Sequence, residues 1–199
     1  MGAEDGWTEG GAPQQLRMLW PAGEAPDAEA TRLPDGYVLR QGDPDQYVPA
    51  FRELMARVEL GTWDDDKLRE VLESVVPDGW HLVVHEPTGT VVATGMSQRR
   101  PVPDLYPNGH EVGWIAAHPD HSGRGLGRAV TAAATARLVE VGAKCVYLQT
   151  DDFRLPALHT YLRLGFRPHL WAAGMVERWR EICERLGAPL QPAEWPVEG

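Results

Sequence analysis

Apolar positions along this chain change period several times, and each change marks an element. Tyr37, Val38 and Leu39 follow a Pro34-Asp35-Gly36 turn signal and predict a short strand. Over residues 47–60 the apolar side chains Val48, Phe51, Leu54, Met55 and Val58 recur at helical spacing, and Gly61 can end that helix. A second helical run, Leu68, Val71, Leu72 and Val75, comes after Asp64, Asp65 and Asp66, whose carboxylates suit an N-cap and the positive end of a helix. Pro77-Asp78-Gly79 reads as a turn. Residues 80–86 and 90–98 are apolar and rich in β-branched side chains, and Pro87-Thr88-Gly89 joins them as a hairpin. The loop 99–109 holds three prolines, and residues 110–117 predict another strand.

The strongest helix begins near Gly125. Leu126, Ala129, Val130, Ala133, Ala134, Leu138 and Val141 form one apolar stripe, and Gly142 is a natural stop. Residues 144–150 then predict a buried strand and 154–164 a helix closed by Gly165. Phe166 opens a last extended segment, and 175–186 a terminal helix with Val176, Trp179, Cys183 and Leu186 on one side. The tail from Gly187 is Pro-rich and reads as loose. Residues 1–34 read as an irregular arm, in which 16–20 (LRMLW) can pair as an edge strand.

Short hairpin links imply antiparallel pairing early in the chain, and strand-helix-strand units imply parallel neighbours later. The expected fold is mixed α/β (α+β), a largely antiparallel central sheet with helices on both faces. The chain divides into an arm (1–34), one domain (35–170), and a C-terminal helix with its tail (171–199).

Composition narrows the chemistry. A length of 199 residues suits one domain, and 43% hydrophobic with 24% charged residues is an ordinary globular balance. A net charge of −10 without a Lys/Arg-rich run argues against nucleic acid as a partner and favours cationic acceptors such as amines. Cys145 and Cys183 form no CxxC pair, which suits a reducing compartment. The N-terminus lacks a basic start followed by an apolar run, and no apolar stretch approaches a membrane span. A cytoplasmic protein is expected. HExxH spacing and GxSxG are missing, so neither a metal centre nor a serine hydrolase is expected.

The sharpest feature is His118-Pro119-Asp120-His121-Ser122-Gly123-Arg124-Gly125-Leu126-Gly127-Arg128, between a strand and the strongest helix. Glycines let backbone N–H groups approach a ligand closely, and the first N–H groups of a helix have no intrahelical partner. Together they make an anion site, to which Arg124 and Arg128 can add charge-assisted contacts. A tight turn without any ligand has the same local pattern. No Gly-Lys-Ser/Thr triplet follows, and GRGLG is one residue short of a dinucleotide fingerprint.

This segment resembles motif A of the GNAT superfamily of N-acetyltransferases, Q/R-x-x-G-x-G/A at the start of the central helix. Gly125 and Gly127 match its glycines, and Ser122 replaces the usual Gln or Arg. Downstream, RLPALHTYLRLGF resembles the family's N-x-x-A-x-x-x-Y-x-x-x-G-F segment: Ala157, Tyr161, Gly165 and Phe166 fall in register, with Arg154 in place of Asn. The resemblance runs from about Asp35 to Pro168.

It implies acetyl transfer from acetyl-CoA, as co-substrate, to a primary amine of a small molecule or protein, by direct attack in a ternary complex. It also implies a splay between the fourth and fifth core strands. Ile115, Ala116 and Ala117 would pair with the pantetheine arm there. Ser122, Gly123, Arg124, Gly125, Leu126, Gly127 and Arg128 would hold the diphosphate, with Arg154 nearby. Tyr161 takes the place of the general acid, a role a phenol with a reference pKa of about 10 can serve toward a thiolate. Glu111, at the start of the cleft strand, is the first choice of base, with His110 and His118 as alternatives. His159 is expected in solvent, and Asp151 and Asp152 as caps. The acceptor cleft would lie among residues 61–66 and 99–109, where Trp63 and Tyr106 can stack on a substrate and the aspartates attract a cation, or serve as plain caps and loop. Trp114 can point into the cleft or the core. A homodimer is compatible with the sequence. The alternative function is a non-catalytic acyl-CoA-binding or sensor domain of the same fold.

Overall fold

Side chains alternate along the strands between two buried faces, so helices cover the sheet on both sides. The computed structural model describes residues 14–193. Its strands are β1 (Leu16–Leu19), β2 (Tyr37–Gln41), β3 (Val75–His85), β4 (Thr90–Arg99), β5 (Gly109–Ala117), β6 (Cys145–Thr150) and β7 (Arg167–His169). They lie in the order β2-β3-β4-β5-β6-β1-β7. Every neighbouring pair is antiparallel except β5–β6, which is parallel. The helices are α1 (Pro44–Arg57), α2 (Asp65–Ser74), α3 (Leu126–Glu140), α4 (Leu155–Leu164) and α5 (Met175–Leu186). Among the described residues no helix is long and apolar enough to cross a membrane.

On one face, Phe51, Leu54 and Met55 of α1 and Leu68 and Val71 of α2 meet Trp80, Leu82 and Met96. On the other, Ala134 and Leu138 of α3, Leu158 and Tyr161 of α4, and Trp179 and Ile182 of α5 cover Leu16, Met18, Val112, Val146 and Leu148.

Four local expectations are revised. β1 is not an edge strand: it lies between β6 and β7 and pairs antiparallel with both. Leu16 and Met18 are fully buried, so the arm supplies core. Its partner Thr150 lies far along the chain from Leu16, and no short-range turn signal can announce such a pairing. Pro77-Asp78-Gly79 does not separate elements. α2 runs directly into β3, whose pairing with β4 shifts register between Val75 and Trp80. The stripe on α3 is wider than its period implies and shorter at its end. Thr131, Ala132 and Thr135 are also buried, the Thr131 hydroxyl donating to Gly127 O (2.7 Å) and the Thr135 hydroxyl to Thr131 O (2.8 Å), while Val141 is exposed at the C-cap. The tail is docked as far as it is described, with Ala193 N–H on Pro168 O at 2.8 Å. Residues 1–13 and 194–199, part of the expected arm and tail, lie outside the described residues.

α5 packs on its own chain. Arg178 donates to Asp152 Oδ2 through Nε (3.0 Å) and to Gln14 O (2.8 Å), and Trp179 is fully buried. Trp179→Ala is therefore expected to cost about 3–5 kcal/mol, read as a lower denaturation midpoint. An unchanged midpoint would show that α5 adds nothing to the core.

Candidate active site

The site begins where two strands part. β5 and β6 pair at only three positions, Gly109 with Cys145, His110 with Val146 and Glu111 with Tyr147. β5 stays paired with β4 as far as Ala117, so its other edge is bare beyond Glu111. The separation has a local cause. In the β4–β5 ladder Thr94 faces Ala116 and Met96 faces Gly113, so Trp114 and Ile115 together oppose Gly95. This is a β-bulge, which bends its strand and increases the twist. Trp114 takes a φ of +52°, unusual for a bulky residue. Trp63 packs edge-on against it, centroids 4.5 Å apart, and Lys67 Nζ sits over both rings. Gly95 admits the bulge: a Cβ there would meet Ile115 Cδ1 at 2.8 Å and Val130 O at 3.1 Å.

A cavity of about 250 Å³ opens at the fork, with Gln98, Glu111, Gly113, Gln149, Arg154 and Tyr161 in its wall. Glu111 comes from the last paired position of β5 and is 6% exposed. Its Oε1 accepts from Gln149 Nε2 at 3.1 Å, and Arg100 Nε lies 3.5 Å from Oε2. Burial pushes the carboxyl above its ordinary range, and the attraction of Arg100 and the Gln149 hydrogen bond oppose that rise. A carboxylate held this way is a better proton acceptor near neutrality than a solvated one. Tyr161 enters from α4, 6% exposed, its phenol pushed up to about 12 by burial with Arg154 opposing. The phenol thus stays protonated at neutral pH and is a weaker acid than it would be in water. The structure brings both expected groups to one cavity.

The glycine loop stands at the start of α3. Gly123 (φ +75°) and Gly125 (φ +74°) both need the left-handed region, and Gly125 caps the helix without any side-chain bond. The first helical bond onto Gly125 O comes from Ala129 N–H, 3.0 Å, so the amides of Leu126, Gly127 and Arg128 precede it. A Cβ on Gly123 or Gly127 would meet nothing within 4 Å, so the loop is open rather than filled by its own side chains. Ser122 and Arg128 are exposed; Arg124 turns back on its own loop, donating to Asp120 O (3.3 Å) and Ser122 O (3.2 Å). A bare strand edge at Ile115, an open amide-rich helix start and a fork between them fit an elongated thioester carrying a diphosphate. Ile115 lines the cavity, whereas Ala116 and Ala117 continue β5 opposite Thr94 and Ala93.

Other expected positions fall elsewhere. Tyr106 is not in the cleft: it is fully buried, bonds His169 Nδ1 through its hydroxyl at 2.5 Å and packs on Tyr147. Trp63 belongs to the core beside Phe51, its indole N–H on Leu60 O at 3.1 Å. Trp114 does both jobs, core and cavity wall. Asp64 caps α2, while Asp65 and Asp66 pair with Arg52 and Arg69. His110 and His118 do not line the cavity, where Glu111 does; His118 Nδ1 accepts from Asp120 N–H at 3.2 Å. His159 is exposed as expected. Asp151 and Asp152 do not cap α4; they bind Arg154 (2.9 Å) and Arg178. Arg154 occupies the N-cap position itself and lines the cavity. Sequence reasoning missed Gln98, Arg100 and Gln149. The available signal was a polar side chain inside otherwise apolar strands, as in CVYLQT.

With this geometry in place, comparison with known proteins is direct. The model of the acetyltransferase (GNAT) family matches residues 48–166. A mycothiol acetyltransferase of Cellulomonas flavigena is 35% identical over 150 residues, covering 69% of this chain and 42% of that protein. The chain spans about half the length of the curated relatives it matches. Among solved structures, a GCN5-related N-acetyltransferase from Sphaerobacter thermophilus aligns with a TM-score of 0.59 at 20% identity, covering 78% of this chain and 49% of that one. A GNAT-family acetyltransferase from Novosphingobium aromaticivorans aligns with a TM-score of 0.57 at 25% identity, covering 78% and 59%. Glycine loop, forked strands and sequence match converge: the chain belongs to the GNAT acetyltransferase family.

Proposed function

We propose that this chain transfers an acetyl group from acetyl-CoA to a primary amine of a small molecule, by direct attack within a ternary complex. The observation that carries it is the placing of a buried carboxylate, Glu111, and a buried phenol, Tyr161, in the wall of one cavity at the β5–β6 fork. The names of the relatives, mycothiol acetyltransferases, support a small-molecule acceptor over a protein one.

Acetyl-CoA, when bound, supplies the thioester carbon. Ser122 to Arg128 hold the diphosphate through backbone amides, and the bare edge of β5 at Ile115, Ala116 and Ala117 pairs with the pantetheine arm. Arg154, anchored by Asp151, adds positive charge beside the cavity. Glu111 removes one proton from the acceptor ammonium, which frees the nitrogen lone pair to attack. Tyr161 gives its proton to the leaving sulfur, and a second proton lost by nitrogen restores the phenol. The sum is one acetamide, one thiol and one released proton. Because its pKa lies at about 12, Tyr161 stays protonated throughout the working range and adds no alkaline limb to the pH profile.

Release of CoA thiol, followed across a panel of primary amines, tests this reading. Turnover with at least one amine is expected. Binding of acetyl-CoA without turnover for every acceptor would make the chain a binding or sensor domain. Tyr161→Phe is expected to lower kcat by about 10²-fold with acetyl-CoA affinity retained, since the ring still fills its site. An unchanged kcat would remove Tyr161 from the proton path.

A further inference from the structure

A second polar side chain faces Glu111 across the ladder. Gln98 is fully buried and is the cross-strand partner of Glu111 in the β4–β5 register. Partners in a ladder share a face, and here it is the face toward α2, because Gln98 Nε2 donates to Ser74 Oγ at 2.6 Å. Ser74 in turn gives its single hydroxyl proton to Val71 O at 2.6 Å. Its oxygen can therefore only accept from Gln98, which fixes the amide: nitrogen toward Ser74, Oε1 away from it.

Gln98 Oε1 lies against Gly113, in the volume that a side chain there would fill. A Cβ on Gly113 would stand 2.3 Å from Gln98 Oε1 and 3.8 Å from the Glu111 carboxyl carbon. Any side chain at 113 would displace the Gln98 amide. Gln98 Oε1 and Glu111 Oε2 are both buried, and neither receives a hydrogen bond from the described residues. Arg100 Nε, at 3.5 Å from Oε2 and half-exposed, contributes charge without a bond. Gln98, Glu111 and Gly113 all line the cavity at the fork. Two buried acceptors without donors, one of them a carboxylate, on cross-strand partners in the wall of one cavity, form a site for a cation that brings at least two N–H groups.

Resting on the acetyl-transfer reading and deepening it, we propose that Gln98 Oε1 and Glu111 Oε2 jointly hold the acceptor nitrogen as a primary ammonium, which makes Gln98 a specificity-determining residue. Each oxygen accepts one N–H. Glu111 takes its proton. Gln98 keeps hold of a second N–H, so the lone pair emerges directed away from the amide. A hydroxyl acceptor offers one donor and leaves one of the two oxygens unmatched; a tertiary amine has the same deficit. The pair therefore selects primary amines over alcohols.

The first test uses the wild-type protein. Its Gln98 side-chain amide resonance, identified by its loss in Gln98→Met, is followed during titration with methylammonium chloride and, separately, tetramethylammonium chloride. A saturable shift with methylammonium alone is expected, because only that ion carries N–H donors. Equal responses to both ions, or none to either, would overturn the proposal. The second test is kinetic. Gln98→Met is expected to raise KM for a primary amine by about tenfold or more while the dissociation constant for acetyl-CoA, by calorimetry, stays at the wild-type value. An unchanged amine KM would overturn the role of Gln98 and leave acetyl transfer standing. No thiol release with any amine, together with the methylammonium shift, would instead overturn acetyl transfer and leave the ammonium site.

Discussion

Glu111→Gln is expected to lower kcat by about 10²- to 10⁴-fold, and at neutral pH to make the folded protein more stable. The two effects have one origin. Burial raises the folded-state pKa of Glu111 above its unfolded value, so the native protein binds that proton more tightly than the unfolded chain does. Stability then falls as pH rises from the ordinary carboxylate range through the raised folded pKa, and above it the full cost of ionisation is present. Glutamine has the same shape and can keep a bond to Gln149 without ionising, so that cost disappears. It also cannot accept a proton, so the acidic limb of the kcat/KM profile, displaced upward in the wild type, is absent in the variant. Thermal melts at two pH values and a pH–rate profile measure both. A variant with wild-type kcat would remove Glu111 as the base; a less stable one at neutral pH would show that its ionisation is not a burden on the fold.

Gly127→Glu is expected to separate folding from cofactor binding in the same way. The position lies in the first turn of α3, and a Cβ there meets nothing within 4 Å. A glutamate at that place improves helix propensity by about 0.5–1 kcal/mol over glycine and gains a further 0.3–1 kcal/mol or so from the helix dipole. The protein should therefore melt no lower than the wild type. Acetyl-CoA affinity should fall on the order of 10²-fold or more, because a fixed negative charge about 4 Å from a diphosphate is worth roughly 4 kcal/mol at an effective dielectric of 20. Calorimetry with acetyl-CoA reads the loss. Undiminished affinity would mean that the diphosphate lies elsewhere, and the acetyl-transfer reading would fall with it.

Gly127 and Glu111 differ in how far the local sequence marks them. The glycine loop stands out because short-range spacing alone dictates it: two left-handed glycines and a helix start lie within a few residues. The α3 stripe and the β3–β4 hairpin were legible for the same reason. Glu111 was reached only through the family's pattern, since a glutamate near the start of a strand has no local mark of burial. Gln98 shows the complementary limit. Its burial and its register opposite Glu111 depend on how β4 and β5 align, and the orientation of its amide on a bond to Ser74 in α2.

Tyr106 failed as a cleft residue because an aromatic in a Pro-rich loop gives no sign of folding inward. A single bridge between Val102 and Tyr106 turns that loop so that the ring lands on Tyr147. By itself the sequence determined the element order from β2 onward, the early antiparallel pairing, the parallel β5–β6 pair and the glycine-rich helix start, all set by neighbours close along the chain through turn chemistry and hydrophobic period. The parallel pairing expected of β6 and β7 is not formed, because β1 lies between them and pairs antiparallel with both. Only the tertiary structure decided that β1 fills the gap between β6 and β7, that a bulge at Trp114 parts β5 from β6, and that Glu111, Gln98 and Tyr161 face one cavity. Those facts join segments distant in sequence, and packing and strand register settle them rather than any local preference.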